Sequence, residues 1–332
     1  MALQMTPLMV ASRDGDLDKA RTCLEEDITC IDMQDIIGRT ALVLALQYRA
    51  SPDQSDIIKL LLEKGASPDI QDEHGKTALM YSIMYDRIDI VTLLIENGAS
   101  LDIQNDKGLT VLMLAIINSN REVARLLLEK GASLDIQDNI RGRTALMYAS
   151  IYGRVEFAKL LIEKGASTDI LDEDGKTALL IAIIKGRTSV VKPLIENGAY
   201  LDIQDEDGNT PLITAIIKGK TSITRFLIEK GASLDFQDNN GKTALMLAIV
   251  KGKTSTSKLL IEKGASLDIQ DEDGRNALTI SQEKGDEVIE KYIMEKKVLN
   301  AKGRLVLAQA IKQGFEDLPY ELGLYEQIQS HM

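Results

Sequence analysis

The chain has 332 residues, 44% of them hydrophobic and 27% charged, with 4% aromatic and no tryptophan. That much apolar material excludes a disordered or collagen-like polymer, and a formal charge of −12 argues against a nucleic-acid partner, because neutralising phosphate needs a cationic surface. Two histidines and two cysteines leave little for a metal site or a histidine-centred reaction, so neither cofactor nor catalysis is expected.

The first segment, about 1–34, opens Met1-Ala2-Leu3-Gln4-Met5-Thr6-Pro7 with no charged stretch ahead of an apolar one, so no secretory leader is expected. Nowhere do 18 apolar residues run together, which argues against a membrane span. Cys23 and Cys30 have neither a CxxC arrangement nor histidine partners and read as reduced thiols. A cytoplasmic protein is predicted, whether in the cell that made it or delivered into a host cytosol.

From Thr40 onward a threonine recurs at Thr77, Thr110, Thr144, Thr177, Thr210 and Thr243, at intervals of 37, 33, 34, 33, 33 and 33 residues. Extra residues within 49–55 account for the first interval. Each threonine stands in a phrase such as Gly75-Lys76-Thr77-Ala78-Leu79-Met80, and a second phrase, typified by residues 227–238, keeps the same beat. A fixed period of this length is the signature of a repeat architecture.

One unit shows the local logic. Asp172-Glu173-Asp174-Gly175 is a tight turn, Thr177 is placed to cap a helix over 178–185, and Gly186 can close it in the left-handed conformation. Thr188 or Ser189 is expected to cap a second helix reaching about Asn197, with Gly198 closing it. Pro193 falls inside that helix and should cost a hydrogen bond there. Thr6-Pro7 and Thr210-Pro211 place proline at the first helical position, where its missing N–H costs little. Helices of about two turns are unstable alone, so each unit must be covered by the next.

This pattern resembles the ankyrin repeat over nearly the whole chain. The resemblance implies an all-α solenoid of helix-turn-helix units joined by β-turn or hairpin loops. It is read as an N-terminal cap at about 1–34 followed by eight units, near 35, 72, 105, 138, 172, 205, 238 and 271. Residues 1–300 then form the repeat domain, and 301–332 a degenerate repeat or helical cap in the same continuous solenoid. The family's usual Thr-Pro-Leu-His motif carries a histidine that bonds neighbouring loops. Here Met9, Val43, Met80, Met113, Met147, Leu180, Ile213, Met246 and Thr279 stand in its place, so the loop-to-loop ladder is expected to give way largely to methionine-rich packing.

The resemblance also implies a protein-binding scaffold or adaptor, monomeric and non-catalytic, whose partner contacts the turn tips and the concave end of each first helix. The residues at that end are Tyr48, Tyr85, Asn118, Tyr152, Lys185, Lys218, Lys251 and Lys284. Tyr81 and Tyr148 lie one helical turn before two of these tyrosines. Arg187, Lys220 and Lys253 follow the closing glycines, making paired basic rows suited to an acidic or phosphorylated segment of another protein. Ile36 and Ile37 form an apolar tip beside the insertion Ser51-Pro52-Asp53-Gln54. At sequence level two readings of these rows stay open: selected contacts, or packed and solvated side chains copied by duplication. Mixed charges at the other tips should pair internally.

The tail leaves an alternative function open. Asp317-Leu318-Pro319-Tyr320-Glu321-Leu322 resembles the opening of an F-box, but the ten residues after it are too few for the helices of a complete one, so the alternative is a host-directed effector or ubiquitin-ligase adaptor with a truncated F-box-like tail. A structural spacer with no specific partner is the other alternative.

Overall fold

The computed structural model describes residues 5–47 and 54–312, with side chains as far as Lys302. It divides into two compact units, Met1–Glu206 and Asp207–Met332.

In the first unit the helices alternate in two layers. One layer consists of α1 (Pro7–Asp14), α3 (Ala41–Gln47), α5 (Ala78–Met84), α7 (Val111–Ile117), α9 (Ala145–Tyr152) and α11 (Ala178–Ile184). The other consists of α2 (Leu17–Glu26), α4 (Gln54–Glu63), α6 (Ile88–Glu96), α8 (Arg121–Glu129), α10 (Val155–Glu163) and α12 (Thr188–Glu196). Each helix packs on its hairpin partner and on the next helix of its own layer. The second unit repeats the scheme, with α13 (Pro211–Ile217), α15 (Ala244–Val250) and α17 (Ala277–Lys284) in one layer. Its other layer is α14 (Thr221–Glu229), α16 (Thr254–Glu262) and α18 (Glu287–Lys312).

The core is the same apolar set in every copy. Leu79, Leu112, Leu146 and Leu179 of the first unit, and Leu212 and Leu245 of the second, are at most 1% exposed. The methionines in the family's histidine position, Met80, Met113, Met147 and Met246, are buried as expected, whereas Thr279 is exposed. The threonine caps hold throughout: the Thr177 hydroxyl accepts from the Leu180 amide, and Thr77, Thr110, Thr144, Thr210 and Thr243 do the same in their copies. Pro7 and Pro211 occupy the first turn of α1 and α13. Gly186 closes α11 at φ +68°.

Two expectations are corrected and one holds. First, neither Thr188 nor Ser189 caps α12. Both lie inside the helix, and the cap position belongs to Arg187, which makes no capping hydrogen bond. Second, Pro193 lies buried six residues into α12 and, having no N–H, forgoes one helical hydrogen bond as expected, while its carbonyl still accepts from the Asn197 amide at 3.1 Å.

Third, the loops are not left without a ladder. In the first unit the side-chain amide of Gln71 donates to its own turn at the Gly75 carbonyl (2.7 Å) and to the next repeat at the Gln104 carbonyl (3.0 Å). Gln34, Gln104 and Gln137 repeat this bridge, reaching Gln71, Gln137 and Leu171. In the second unit Gln237 spans from Gly241 to Gln270. The glutamine of the Asp-Ile-Gln-Asp phrase thus carries the loop bonding that the absent histidine cannot. Two further sets of bonds reinforce it. The Asp32, Asp69, Asp102, Asp135 and Asp169 carboxylates each accept from a backbone amide one repeat on. Turn tips also bond directly, for example the Glu73 amide to the Ile37 carbonyl at 2.9 Å.

At the far end, α18 runs unbroken from Glu287 to Lys312. It therefore crosses the boundary near residue 300 expected between the last unit and the terminal segment.

Candidate functional site

In the first unit the predicted contact residues separate into structural and exposed groups. Ile36 stands at a turn tip, 69% exposed. Ile37 is half-buried and committed to the loop network, its amide donating to the Asp35 carboxylate and its carbonyl accepting from Glu73. Tyr48 and the insertion residues Ser51, Pro52 and Asp53 lie outside the described residues, as does the F-box-like stretch 317–322.

The four remaining tyrosines form two identical pairs. Tyr81 is buried and donates its hydroxyl to the buried carboxylate of Asp72; Tyr148 donates to Asp138 at 2.6 Å. Burial first, then this hydrogen bond and the carboxylate's charge, raise the pKa of both phenols above the usual value. Burial pushes the Asp138 carboxyl up, but the Tyr148 hydroxyl and the amides of Arg141, Ile140 and Arg143 together hold it below the usual carboxylate range. The inner tyrosine of each pair is thus a packing residue. The outer ones, Tyr85 and Tyr152, stack on them at 5.9 and 6.4 Å between ring centroids and leave one face to solvent.

Between the tyrosines the chain departs from glycine. Asp86 and Ser119 hold φ values of +55° and +63°, the left-handed region where the equivalent positions of other copies have glycine. The Asp86 carboxylate accepts from the Asn120 side-chain amide at 2.9 Å, a bond between consecutive repeats that a glycine could not make. Sequence spacing had singled out neither residue. The signal that could have found them was the absence of glycine at a position otherwise glycine.

Lys185 caps α11 and is exposed. Arg187 is different. Its stem lies over Gly153, and its Nε donates to the Ile151 carbonyl near the end of α9 at 3.2 Å. Arg187 is an inter-repeat strap as well as a surface cation.

In the second unit Lys218 and Lys251 are the closing residues of α13 and α15, and Lys284 is the last residue of α17. A cation at a helix C-terminus is favoured by the helix dipole. Lys220 and Lys253 instead occupy the N-cap positions of α14 and α16, where the dipole disfavours them, and neither helix has a side-chain cap or an acidic residue in its first turn. Lys218, Lys220, Lys251, Lys253 and Lys284 make no ion pair among the described residues. In the first unit α2, α6, α8 and α10 carry Asp18, Asp89, Glu122 and Glu156 in their first turns, and Arg87 pairs with Asp89 at 3.2 Å, whereas α12, with Arg187 at its N-cap, lacks cap and acid as α14 and α16 do. Turn-tip charges do pair internally, as with Arg39–Asp35 and Lys176–Asp174.

Among the described residues no three histidine, cysteine or acidic side chains converge as a metal site, and no helix is long and apolar enough to cross a membrane. Capped helix pairs, a glutamine-bridged loop row and an exposed first-helix edge define an all-α repeat solenoid. The model for ankyrin repeats (3 copies) matches residues 2–72, 46–138, 133–205 and 194–271, and the chain belongs to the ankyrin-repeat family. No curated protein matches it. Ankyrin repeats generally mediate protein–protein interactions and are typically non-catalytic.

Proposed function

We propose that this chain is a cytoplasmic, monomeric, non-catalytic scaffold whose second unit binds an acidic or phosphorylated segment of a partner protein. The observation that carries the reading is the placement of Lys220 and Lys253. They sit where the helix dipole opposes them, uncapped and without a neutralising acid, at a cost of roughly 0.3–1 kcal/mol each. With Lys218, Lys251 and Lys284 they form a row whose charge is satisfied by an external anion rather than from within. The first unit, taken by itself, carries the same chemistry in Lys185 and Arg187, and its Tyr85, Tyr152 and Ile36 are amphipathic and apolar side chains of the kind enriched in binding hot spots. A preformed repeat surface loses little ordering entropy on binding.

Anisotropy of a labelled poly-glutamate peptide and of a multiply phosphorylated peptide, titrated with the intact chain, tests this. Binding should weaken with salt and be lost in the Lys218→Glu/Lys220→Glu/Lys251→Glu/Lys253→Glu variant. Equal binding by the variant overturns the proposal.

A further inference from the structure

We infer that Ser222 and Ser255 are phosphoacceptor residues, and that their modification switches off the basic row of the second unit. The assignment rests on three observations. Each serine is exposed, at the second position of α14 or α16. That is the position at which α2, α6, α8 and α10 carry Asp18, Asp89, Glu122 and Glu156. Each is also preceded by lysine two and four residues upstream, in Lys218-Gly219-Lys220-Thr221-Ser222 and Lys251-Gly252-Lys253-Thr254-Ser255. That spacing suits a serine/threonine kinase with an acidic substrate groove. The same phrase occurs once in the first unit, as Lys185-Gly186-Arg187-Thr188-Ser189.

The chemistry is ordinary phosphoryl transfer from a nucleoside triphosphate. The seryl Oγ attacks the γ-phosphorus, the bridging P–O bond to the nucleoside diphosphate breaks, and the seryl proton passes to the kinase's base. The product carries close to two negative charges near neutral pH. At the second position of a helix that charge is favoured by the dipole and by the open first-turn amides. It supplies the acid that α2, α6, α8 and α10 have in their sequence and that α12, like α14 and α16, lacks, and it neutralises Lys220 or Lys253 from within. The kinase must bind the first turn in an unwound form, and the missing side-chain caps make that turn the easiest part of each helix to open.

The switching consequence rests on the acidic-partner reading; the acceptor assignment does not. The experiment incubates the full chain with ATP and a basophilic serine/threonine kinase, then maps phosphate by mass spectrometry. It compares the intact chain with Ser222→Ala/Ser255→Ala and with Lys220→Ala/Lys253→Ala. Phosphate on Ser222 and Ser255, reduced at least fivefold by the lysine substitutions, together with a raised melting temperature, supports the assignment. Phosphate confined to other residues, or none, overturns it. Poly-glutamate affinity should fall at least tenfold on phosphorylation and stay unchanged in kinase-treated Ser222→Ala/Ser255→Ala. Stoichiometric phosphate on both serines with affinity changed less than twofold overturns the switch. Failure of the unmodified chain to bind poly-glutamate overturns the acidic-partner reading and the switch with it, and the mass spectrum alone then decides the acceptor assignment.

Discussion

Gln137 donates its side-chain amide to the backbone carbonyl of Leu171 at 2.9 Å, and there the run of glutamine bridges that begins at Gln34 is interrupted, because Leu171 has no side-chain amide to pass on. The next bond between turn tips, from the Glu206 amide to the Asp174 carbonyl, is 3.5 Å, against 2.9–3.1 Å for the tips before it. Leu171 is 46% exposed, so its apolar side chain recovers little by burial. Leu171→Gln should restore the bridge to Gly175 and Gln204 and stabilise the chain by about 1 kcal/mol. A raised urea midpoint and slower hydrogen exchange at the Glu206 amide check it; exchange unchanged or faster contradicts it.

The converse change is Gln104→Ala, which removes the bonds to Gly108 and Gln137. Gln137 is exposed and its carbonyl can take water instead, but Gly108 is buried, so the loss should reach about 1–3 kcal/mol, the penalty of a buried acceptor left short of a donor. Because repeat stability is a sum of local and nearest-neighbour contributions, protection should fall in the loops at 104–109 and 137–142 and be unaltered near Gln34.

The Asp138–Tyr148 pair sets a pH dependence at both ends. Asp138 is held below the carboxylate range in the folded chain, so its contribution is present above the unfolded value of about 3.9 and is lost as pH falls through the folded one. Tyr148 is raised above its unfolded value of about 10, so its contribution is present below that pH and is lost as pH rises toward the folded value. Tyr148→Phe should flatten both limbs of a urea-midpoint profile and cost about 1–3 kcal/mol at pH 7, since it leaves a buried carboxylate oxygen short of a donor. An identical acid limb in the variant would show that Tyr148 does not hold the Asp138 carboxyl down.

Lys185 and Arg187 flank the same glycine but should answer differently to truncation. Arg187→Ala removes the bond to Ile151 and the packing over Gly153, and should destabilise by about 0.5–1.5 kcal/mol. Lys185→Ala, with no such contact, should stay within about 0.5 kcal/mol. Gly153→Ala probes the same contact from below, because a Cβ there would meet Arg187 Cδ at 2.9 Å in a backbone held at φ +67°. Equal melting temperatures for the Lys185 and Arg187 variants would remove the strap.

The repeat, its caps and its core were legible in one dimension. Threonine at a fixed interval, proline after Thr6 and Thr210, and leucine two residues after each capping threonine are local signals, and a helix and its buried face depend on neighbours within one turn. Residues meeting across 31 to 37 positions were not legible, because their pairing depends on how far one repeat stands from the next. Gln71 reaching Gln104, Asp69 reaching Ser100 and Arg187 reaching Ile151 are all of that kind. The same holds for the tyrosines. A four-residue interval placed Tyr81 with Tyr85 and Tyr148 with Tyr152, but only the packed chain assigned the inner ring of each pair to a buried carboxylate and the outer one to solvent. Composition likewise reported a net negative chain, while the folded second unit leaves its lysine row unpaired, because charge is matched by distance and not by count.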